Sequence, residues 1–324
     1  MVAAFIAYKQ GLLNSFFGST PPGTTPPPAS GGPLAPGTPF HFSAGGDVKD
    51  NGETATNLAA NNPEVVLVVG DFSYNGGAQE WWSGTMAPIN GLNSIACVGN
   101  HDEPEDDFLN LFPLNNGQWE FIHKVSNVAF VAVNTGLCDA RCADPSTADP
   151  LLAQAEADPE VAHIIVFGHK SVFTPSSNDI SPDAPPEYQD VFAKYSKIRM
   201  YIAGHNHFYA RMNAVGGQGP IHVTVGNGGA NAHSDSEEGT TPPAQYVKSN
   251  GCLHCDVNNE TISCQMISNE GLVWDEFTIT PGSPPQSSED PAQAGSVGSE
   301  ADNDADQASL ARVRRVVMAR YGES

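Results

Sequence analysis

The chain has 324 residues, of which 40% are apolar, a content that is ordinary for a soluble globular protein. Its 14 Lys and Arg against 37 Asp and Glu give a formal net charge of −23. Such a charge repels nucleic-acid phosphates and anionic membranes at long range, so no nucleic-acid partner is expected. The 32 Gly and 26 Pro predict many turns and some linker without secondary structure.

The first 38 residues differ in composition from the rest of the chain. The apolar start, MVAAFIAYKQGLLNSFFG, is interrupted by Lys9 and Gly11 and is too short to span a bilayer. It lacks the basic start and clean cleavage site of a signal peptide, so a clipped export signal and a loose amphipathic helix both stay open. The Pro-rich stretch that follows has the composition of a semi-rigid linker. We expect residues 1–38 to be an apolar segment plus linker, with the folded domain beginning near Pro39.

Short apolar runs recur between residues 39 and 282. They are rich in Val, Ile, Phe and Ala and bounded by Gly, Asp or Asn, which is typical of buried strands. The runs are PFHFSAGGD, EVVLVVGD, NSIACVGNHD, VAFVAVNTG, AHIIVFGHK, IRMYIAGHNH and IHVTVGNGG. Helices are predicted at residues 53–60 and 186–195, and past residue 246 the pattern changes to hairpins. This order predicts an α/β domain over residues 39–282 that ends in an antiparallel part.

The composition changes again after residue 282. Residues 283–308 are acidic and rich in Ser and Pro, which predicts a disordered linker. Residues 309–324 contain four of the seven arginines of the chain and place their apolar residues near one helical face. Two interpretations of this Arg-rich C-terminal helix stay open. It either docks on its own domain or contacts a partner or a surface.

The positions of the six cysteines favour an oxidising compartment. Cys138 and Cys142 bracket a short polar loop. Cys255 and Cys264 fit the two sides of a hairpin whose turn holds residues 258–259, so they are expected to face each other. The cysteines therefore favour an extracytoplasmic or secreted protein.

Polar side chains follow five of the predicted strands at the point where each strand ends. They are Asp47, Asp71 with Tyr74, Asn100 with His101 and Asp102, His169, and His205 with His207. A Gly precedes each of these blocks and removes a side chain there. Ligands of open α/β sheets bind at the carboxyl ends of the strands, where the loops diverge. We therefore expect these polar residues to converge on one point.

The converging donors are two carboxylates, one amide, one phenol and three or four imidazoles. This set of oxygen and nitrogen donors without a thiolate suits Fe, Mn or Zn. Seven donors are too many for one tetrahedral ion, whereas two ions that share a bridging carboxylate would use them all. Two ions roughly 3.5–4 Å apart suit displacement at phosphorus. The sequence therefore predicts a dinuclear metal centre that acts on phosphate esters.

Each block alone is weak evidence of a metal site, because a strand-terminal Asp is more often a helix cap and Gly-Asn is usually a turn. The order Gly-Asp, Gly-Asp, Gly-Asn-His-Asp, Gly-His and Gly-His-Asn-His, however, resembles the signature of the calcineurin-like metallophosphoesterases. The resemblance spans about residues 40–214 by motif and reaches about residue 282 by pattern. It implies a two-layer mixed β-sandwich flanked by helices, the four-layer αββα metallophosphoesterase fold.

Within this superfamily the chain resembles the purple acid phosphatases at two positions. Most members place a His ligand two residues after the first Asp, where this chain has Lys49. Purple acid phosphatases also lack that His and supply a Tyr three residues after the second Asp, where this chain has Tyr74. The similarity implies acid phosphatase-like hydrolysis of a small phosphate ester.

The resemblance to purple acid phosphatases also implies a role for each block. A ferric site would take Asp47, Asp71, Tyr74 and His207. A divalent site holding Fe, Zn or Mn would take Asp71, Asn100, His169 and His205. Asp71 would bridge the two ions, and a metal-bound hydroxide would attack the phosphate. His101 would hydrogen-bond the phosphate and protonate the leaving group without being a ligand.

Two departures from the family pattern keep other functions open. Lys49 would either intrude on the site or reach a phosphate. The stretch after His169 lacks the Pro and further histidines of plant and mammalian enzymes, so substrate preference does not transfer. The alternatives are a phosphodiesterase acting on cyclic nucleotides or glycerophosphodiesters, and a non-catalytic binding module on a phosphatase fold. The oligomeric state is also open.

Overall fold

The structure of the chain is a computed structural model that describes residues 34–74, 76–136, 145–172, 184, 187–212, 219–231, 244–281 and 286–287. Several sequence-based predictions lie outside these residues. They are the apolar N-terminal segment, most of the Pro-rich linker, the pair Cys138 and Cys142, the acidic linker apart from residues 286–287, and the Arg-rich C-terminal helix. Among the described residues, no helix has the length and apolar character needed to cross a membrane.

Fourteen strands and five α-helices make up the described part of the domain. The strands are β1 (Phe40–Gly45), β2 (Val65–Val69), β3 (Ser94–Cys97), β4 (Phe121–Val125), β5 (Val128–Ala132), β6 (His163–Phe167), β7 (Ile198–Ala203), β8 (Tyr209–Met212), β9 (Ile221–Val225), β10 (Gln245–Val247), β11 (Gly251–Asn258), β12 (Thr261–Ser268), β13 (Val273–Ile279) and β14 (Gln286–Ser287). The helices are α1 (Gly52–Leu58), α2 (Ala78–Ser83), α3 (Glu105–Leu109), α4 (Pro145–Ala157) and α5 (Glu187–Phe192). Short 3₁₀ turns lie at Ala87–Ile89 and Pro113–Asn115.

The strands form two mixed sheets of seven strands each. The first sheet has the order β14-β13-β12-β11-β1-β2-β3, and the second has the order β10-β8-β9-β7-β6-β5-β4. In the first sheet β1, β2 and β3 are parallel, and β11 to β14 extend it in antiparallel pairs. In the second sheet β5, β6, β7 and β9 are parallel, with antiparallel strands at both edges.

The two sheets pack face to face over one apolar core. Phe42 and Leu67 of the first sheet belong to the same buried cluster as Phe130 and Ile202 of the second. The rings of Phe42 and Phe130 meet edge to face, with their centroids 5.3 Å apart. Because successive side chains of a strand point to opposite faces, the alternate residues of these strands form the outer faces of the sandwich.

Helices cover both outer faces. On the first sheet, Val66 and Val68 pack in one cluster with Leu58 of α1 and Trp81 of α2. On the second sheet, the outward residues of β5 and β6 pack in another cluster with residues of α4 and α5. The layers are therefore helix, sheet, sheet and helix, which confirms the αββα fold expected from the sequence.

The seven predicted strands and the antiparallel end of the domain are all present, with small differences in position. Helix α1 begins at Gly52 because the side chain of Asn51 accepts hydrogen bonds from the amides of residues 53 and 54, at 3.1 and 3.3 Å. Cys255 and Cys264 face each other across β11 and β12 as expected, and they form a disulfide. The prediction that residues 258–259 form the turn was wrong by one residue, because Asn258 still pairs with Thr261.

A buried ion pair joins the two sheets. Arg211 of β8 donates from Nε to Asp275 Oδ2 of β13 at 2.7 Å, and from Nη2 to Oδ1 at 3.1 Å. The hydroxyl of Tyr209 donates to the same carboxylate at 2.7 Å, and the guanidinium lies 4.9 Å from the centroid of the Phe277 ring. Since both charged groups are buried, the attraction between them compensates for the hydration that each one has lost.

We expect Asp275→Ala to reduce the free energy of unfolding by about 3–5 kcal/mol, because the substitution removes the carboxylate from a buried guanidinium. Urea unfolding followed by circular dichroism measures the change. Glu160→Ala is the control, because it removes one carboxylate from an exposed ion pair with Lys124 and should have little effect. Equal stability of the two variants would contradict this role of Asp275.

Candidate metal centre

The strand ends of both sheets bring the seven ligand candidates together. Asp47, Asp71 and Asn100 follow the parallel strands β1, β2 and β3 of the first sheet. His169 and His205 follow the parallel strands β6 and β7 of the second sheet. The carboxyl ends of all five strands meet at one edge of the sandwich, where loops rather than strands carry the polar residues.

Asp71 lies at the centre of the cluster. Its Oδ1 atom is 3.2 Å from Nε2 of His169. Its carboxylate belongs to two groups of side chains, and within each group the candidate ligand atoms all lie within 4.8 Å of one another. One group is Asp71, His169 and His205, and the other is Asp47, Asp71 and His207. Asp71, the residue assigned as the bridge by resemblance, is thus the member that the two groups share.

The hydroxyl of Tyr74 lies within the second of these groups. It is 3.1 Å from Asp47 Oδ1, 3.0 Å from Asp71 Oδ2 and 2.9 Å from His207 Nε2. These are the three residues that the resemblance to purple acid phosphatases assigns to the ferric site together with Tyr74. The structure therefore places the phenol hydroxyl beside all three of these side chains, while its role as an iron ligand stays a prediction.

The remaining candidates also contact their expected neighbours. Asn100 Oδ1 is 3.2 Å from His169 Nε2, and His207 Nε2 is 3.3 Å from Asp47 Oδ1. All seven candidates therefore form one continuous cluster, while their role as metal ligands stays a prediction.

Backbone carbonyls orient two of the imidazoles. Nδ1 of His169 is 2.9 Å from the carbonyl oxygen of Val69, and Nδ1 of His207 is 2.6 Å from that of Asn231. A carbonyl oxygen only accepts hydrogen bonds, so each Nδ1 carries the proton and donates it. Each ring therefore directs Nε2 toward the carboxylates, in the arrangement that histidine ligands of metals adopt.

Three of the candidates have a left-handed backbone. The φ angles are 56° at Asp47, 50° at Asp71 and 67° at His205. Residues other than Gly adopt this conformation at a cost, and such residues persist where the surrounding structure holds them. The backbone amide of His205 donates to Asp47 Oδ2 at 2.8 Å, so the two loops hold each other in place.

Asp102 holds the turn that carries Asp71, a role the sequence reasoning missed. Its buried carboxylate accepts hydrogen bonds from the backbone amides of Asp71 at 3.0 Å, Phe72 at 2.7 Å and Gly99 at 2.7 Å. The sequence signal for this role was an Asp three residues after Gly99, because an Asp in a turn commonly accepts hydrogen bonds from nearby backbone amides. Its partners on the preceding loop are about 30 residues away, which the sequence did not indicate.

The electrostatics of the cluster favour bound cations. Although burial lowers the pKa of His169, the carboxylates of Asp71 and Asp47 outweigh it and raise that pKa to about 9. Burial, and then the charges of Asp47 and Asp71, raise the pKa of Tyr74 well above its ordinary value. Two carboxylates buried so close together need positive charge, either as protons on the imidazoles or as metal ions. Oxygen and nitrogen donors of this kind fit Fe, Zn or Mn.

His101 borders the ligand cluster, and its role outside the ligand set stays a prediction. Its side chain is 51% exposed, and its Nε2 atom is 4.0 Å from Asp71 Oδ2. Its backbone amide donates to Asp71 Oδ1 at 2.9 Å, and its ring lies 4.5 Å from that of Tyr74, measured between centroids. The imidazole therefore lies at the edge of the cluster, with about half of its side chain exposed to solvent.

Lys49 follows Asp47 by two residues. The residue is half-buried, and its backbone oxygen accepts a hydrogen bond of 2.7 Å from Nε1 of Trp81. Within the described part of the chain, no residue forms an ion pair or hydrogen bond with its ammonium group. Neither of the two expected positions of Lys49 is therefore shown.

The family model of the calcineurin-like phosphoesterases matches residues 41–209 of the chain. No curated protein matches the chain. Purple acid phosphatase PPD1 from seeds of yellow lupin (Lupinus luteus) is a similar solved structure, with a TM-score of 0.65 and 18% identity. The match covers 76% of this chain and 55% of the lupin protein, so this chain spans about half the length of that phosphatase.

Two further solved structures share the fold. PhoD matches with a TM-score of 0.58 and 10% identity, over 88% of this chain and 79% of PhoD. GAP50, the anchor in the inner membrane complex of Plasmodium, matches with a TM-score of 0.51 and 12% identity, over 76% of this chain and 90% of GAP50. At these identities the likeness concerns the fold alone. The family model, by contrast, covers more than half of the chain and all the strand-end blocks up to His207, so the chain belongs to the calcineurin-like phosphoesterase family.

Proposed function

We propose that the chain is an acid phosphatase-like phosphomonoesterase of the purple acid phosphatase branch, with two metal ions as cofactors. The observation that carries the proposal is the position of Tyr74, whose hydroxyl is within 3.1 Å of both Asp47 and Asp71. A phosphoesterase of the wider superfamily needs no phenol at this position. The fold shared with the lupin purple acid phosphatase supports the same branch.

The two groups around Asp71 would each hold one ion. Fe(III) would bind Asp47, Asp71, Tyr74 and His207. A second ion, Fe, Zn or Mn, would bind Asp71, Asn100, His169 and His205. When bound, such a pair supplies Lewis-acid chemistry that neutralises phosphoryl oxygens and lowers the pKa of water.

The chain's own residues would orient the ester and move a proton. His101 borders the cluster and its side chain is 51% exposed, so the imidazole would be within reach of the leaving oxygen of a phosphate ester. A positioned imidazole transfers protons well near neutral pH because its ordinary pKa is close to that range. The contact of the His101 ring with the Tyr74 ring, at a tilt of 34°, and the hydrogen bond from the His101 backbone amide to Asp71 would fix the imidazole for this transfer. His101 is therefore the proposed general acid.

A phosphodiesterase and a binding module remain the competing functions. The relation in fold to GAP50, a protein described as an anchor, and the presence of Lys49 in the first block both favour the binding module. The intact candidate ligands at every other position favour an enzyme. Residues 309–324, predicted to form an Arg-rich helix, would contact a partner or surface in either case, or else dock on their own domain.

We expect the purified protein to hydrolyse p-nitrophenyl phosphate faster than bis(p-nitrophenyl) phosphate. We expect His101→Ala to reduce the rate of p-nitrophenyl phosphate hydrolysis by about 10²–10⁴-fold without loss of metal, because only the proton donor is removed. Steady-state rates and metal analysis of the same samples measure both effects. Asn100→Ala is the matched control and should instead lose one of the two ions. Faster hydrolysis of the bis ester would indicate the phosphodiesterase, and bound metal without turnover of either ester would indicate the binding module. Loss of metal from His101→Ala would contradict its role.

We expect the iron-loaded, oxidised protein to be coloured and Tyr74→Phe to lose the colour. The resemblance to purple acid phosphatases implies a charge-transfer band from a phenolate bound to ferric iron. A bound cation would lower the raised pKa of this phenol, so the phenol would bind as a phenolate. Visible absorption spectra of wild type and variant, at equal iron content, measure the band. An unchanged band in Tyr74→Phe would exclude Tyr74 as an iron ligand.

A further inference from the structure

A chain of buried hydrogen bonds connects helix α1 to the metal centre from outside the ligand cluster. It begins at His254 of β11, whose Nε2 atom is 3.0 Å from Asn57 Oδ1. Asn57 Nδ2 donates to Asn269 Oδ1 at 3.2 Å, and Asn269 Nδ2 donates to Thr54 Oγ1 at 2.8 Å. The hydroxyl of Thr54 then donates to the backbone carbonyl of Gly228. All four side chains are buried.

The donor and acceptor of each hydrogen bond are fixed at both ends of this chain of hydrogen bonds. Asn57 Nδ2 also donates to the carbonyl of Ile267 at 2.9 Å, which sets the orientation of the amide. His254 Nε2 must therefore carry a proton toward Asn57 Oδ1. At the other end the carbonyl of Gly228 only accepts, so the hydroxyl of Thr54 donates to it and accepts from Asn269. Bonds aligned in one direction strengthen each other.

The loop of residues 226–231, which follows β9, connects this chain of hydrogen bonds to the ligand candidates. The amide of Gly228 donates to the carbonyl of Gly46 at 3.1 Å, and the amide of Ala230 donates to that of Asp47 at 2.9 Å. The carbonyl of Asn231 accepts the 2.6 Å bond from His207 Nδ1. A single loop thus contacts the backbone of one ligand candidate and the ring of another.

The contact between this loop and the first block leaves no space. A Cβ atom at Gly228 would lie 2.2 Å from the carbonyl oxygen of Gly46. The backbone of the loop therefore rests directly on the residue before Asp47. A shift of Gly228 would be transmitted to Gly46, and through the rest of the loop to His207.

We propose that Thr54 is a positioning residue for the half of the metal centre formed by Asp47 and His207. Its hydroxyl fixes the Gly228 carbonyl, and the loop then fixes the carbonyl of Asn231 that orients the His207 ring. The inference rests on the proposed metal centre. Among the described residues, Thr54 makes no hydrogen bond to the side chain of a candidate ligand, so it acts through the loop.

The test is a Zn²⁺ titration of the metal-free protein by calorimetry, with Thr54→Val as the variant, because Val keeps the shape of Thr without the hydroxyl. We expect two Zn²⁺ sites in wild type and a loss of about tenfold in affinity at one of them in Thr54→Val, as for other groups that orient metal ligands. His207→Ala identifies the affected site, because it should lose the same one. Thr54→Ser, which restores the hydroxyl, should bind as wild type does.

Thr56→Val is the matched control. Thr56 lies on the same helix, and its exposed hydroxyl donates to the carbonyl of Gly52 at 2.8 Å, outside the chain of bonds. Thermal unfolding of every variant shows whether the fold is retained. Should Thr54→Val not fold, Asn269→Ala removes the preceding donor and should weaken the same Zn²⁺ site.

The possible results separate this inference from the proposed function. A wild-type protein that binds no Zn²⁺ would overturn both. Two Zn²⁺ sites in wild type with unchanged affinities in Thr54→Val would overturn only the role of Thr54. Equal weakening of both sites, or failure of Thr54→Ser to restore binding, would also overturn it. Weakening of the Asp47–His207 site alone, restored by Ser and absent in Thr56→Val, supports it.

Discussion

Two carboxylates buried side by side, Asp47 and Asp71, are the constraint on which the rest of the structure depends. The hydroxyl of Tyr74 lies 3.1 Å from one and 3.0 Å from the other. Burying a carboxylate away from water costs free energy unless positive charge lies close to it. Imidazoles surround the pair, and the same groups suit two metal ions that share Asp71. The electrostatics of the site therefore favour bound cations.

The sandwich supplies the rigid support that this arrangement needs. Parallel strands of both sheets end at one edge, so residues far apart in sequence reach the same point without long flexible loops. The carboxylate of Asp102 holds the turn at Asp71, and backbone carbonyls orient His169 and His207. The loop of residues 226–231 joins this edge to α1 through Thr54. Strained left-handed residues are kept in place by bonds from several directions.

The strands of the core and the blocks at their ends were predictable because each apolar run stops at a Gly followed by polar residues. The elements that were missed have weaker patterns. Helix α4 contains Pro150, a residue that argues against a helix, and β8 contains the charged Arg211. The roles of Asp102 and Thr54 depend on partners that are far away in sequence, 30 residues from Asp102 and 174 from Thr54. No local pattern indicates such pairs, whereas the fold brings them into contact.

The metal content of the chain tests the central claim most directly, because everything proposed for the site requires Asp71 to serve two ions. Protein purified without chelator should contain about two metal ions per chain, at least one of them iron. Elemental analysis by mass spectrometry, with Asp71→Asn as the comparison, measures this. The account predicts two ions in wild type and loss of both sites in the variant. One ion or fewer per chain in wild type after incubation with iron and zinc would contradict it.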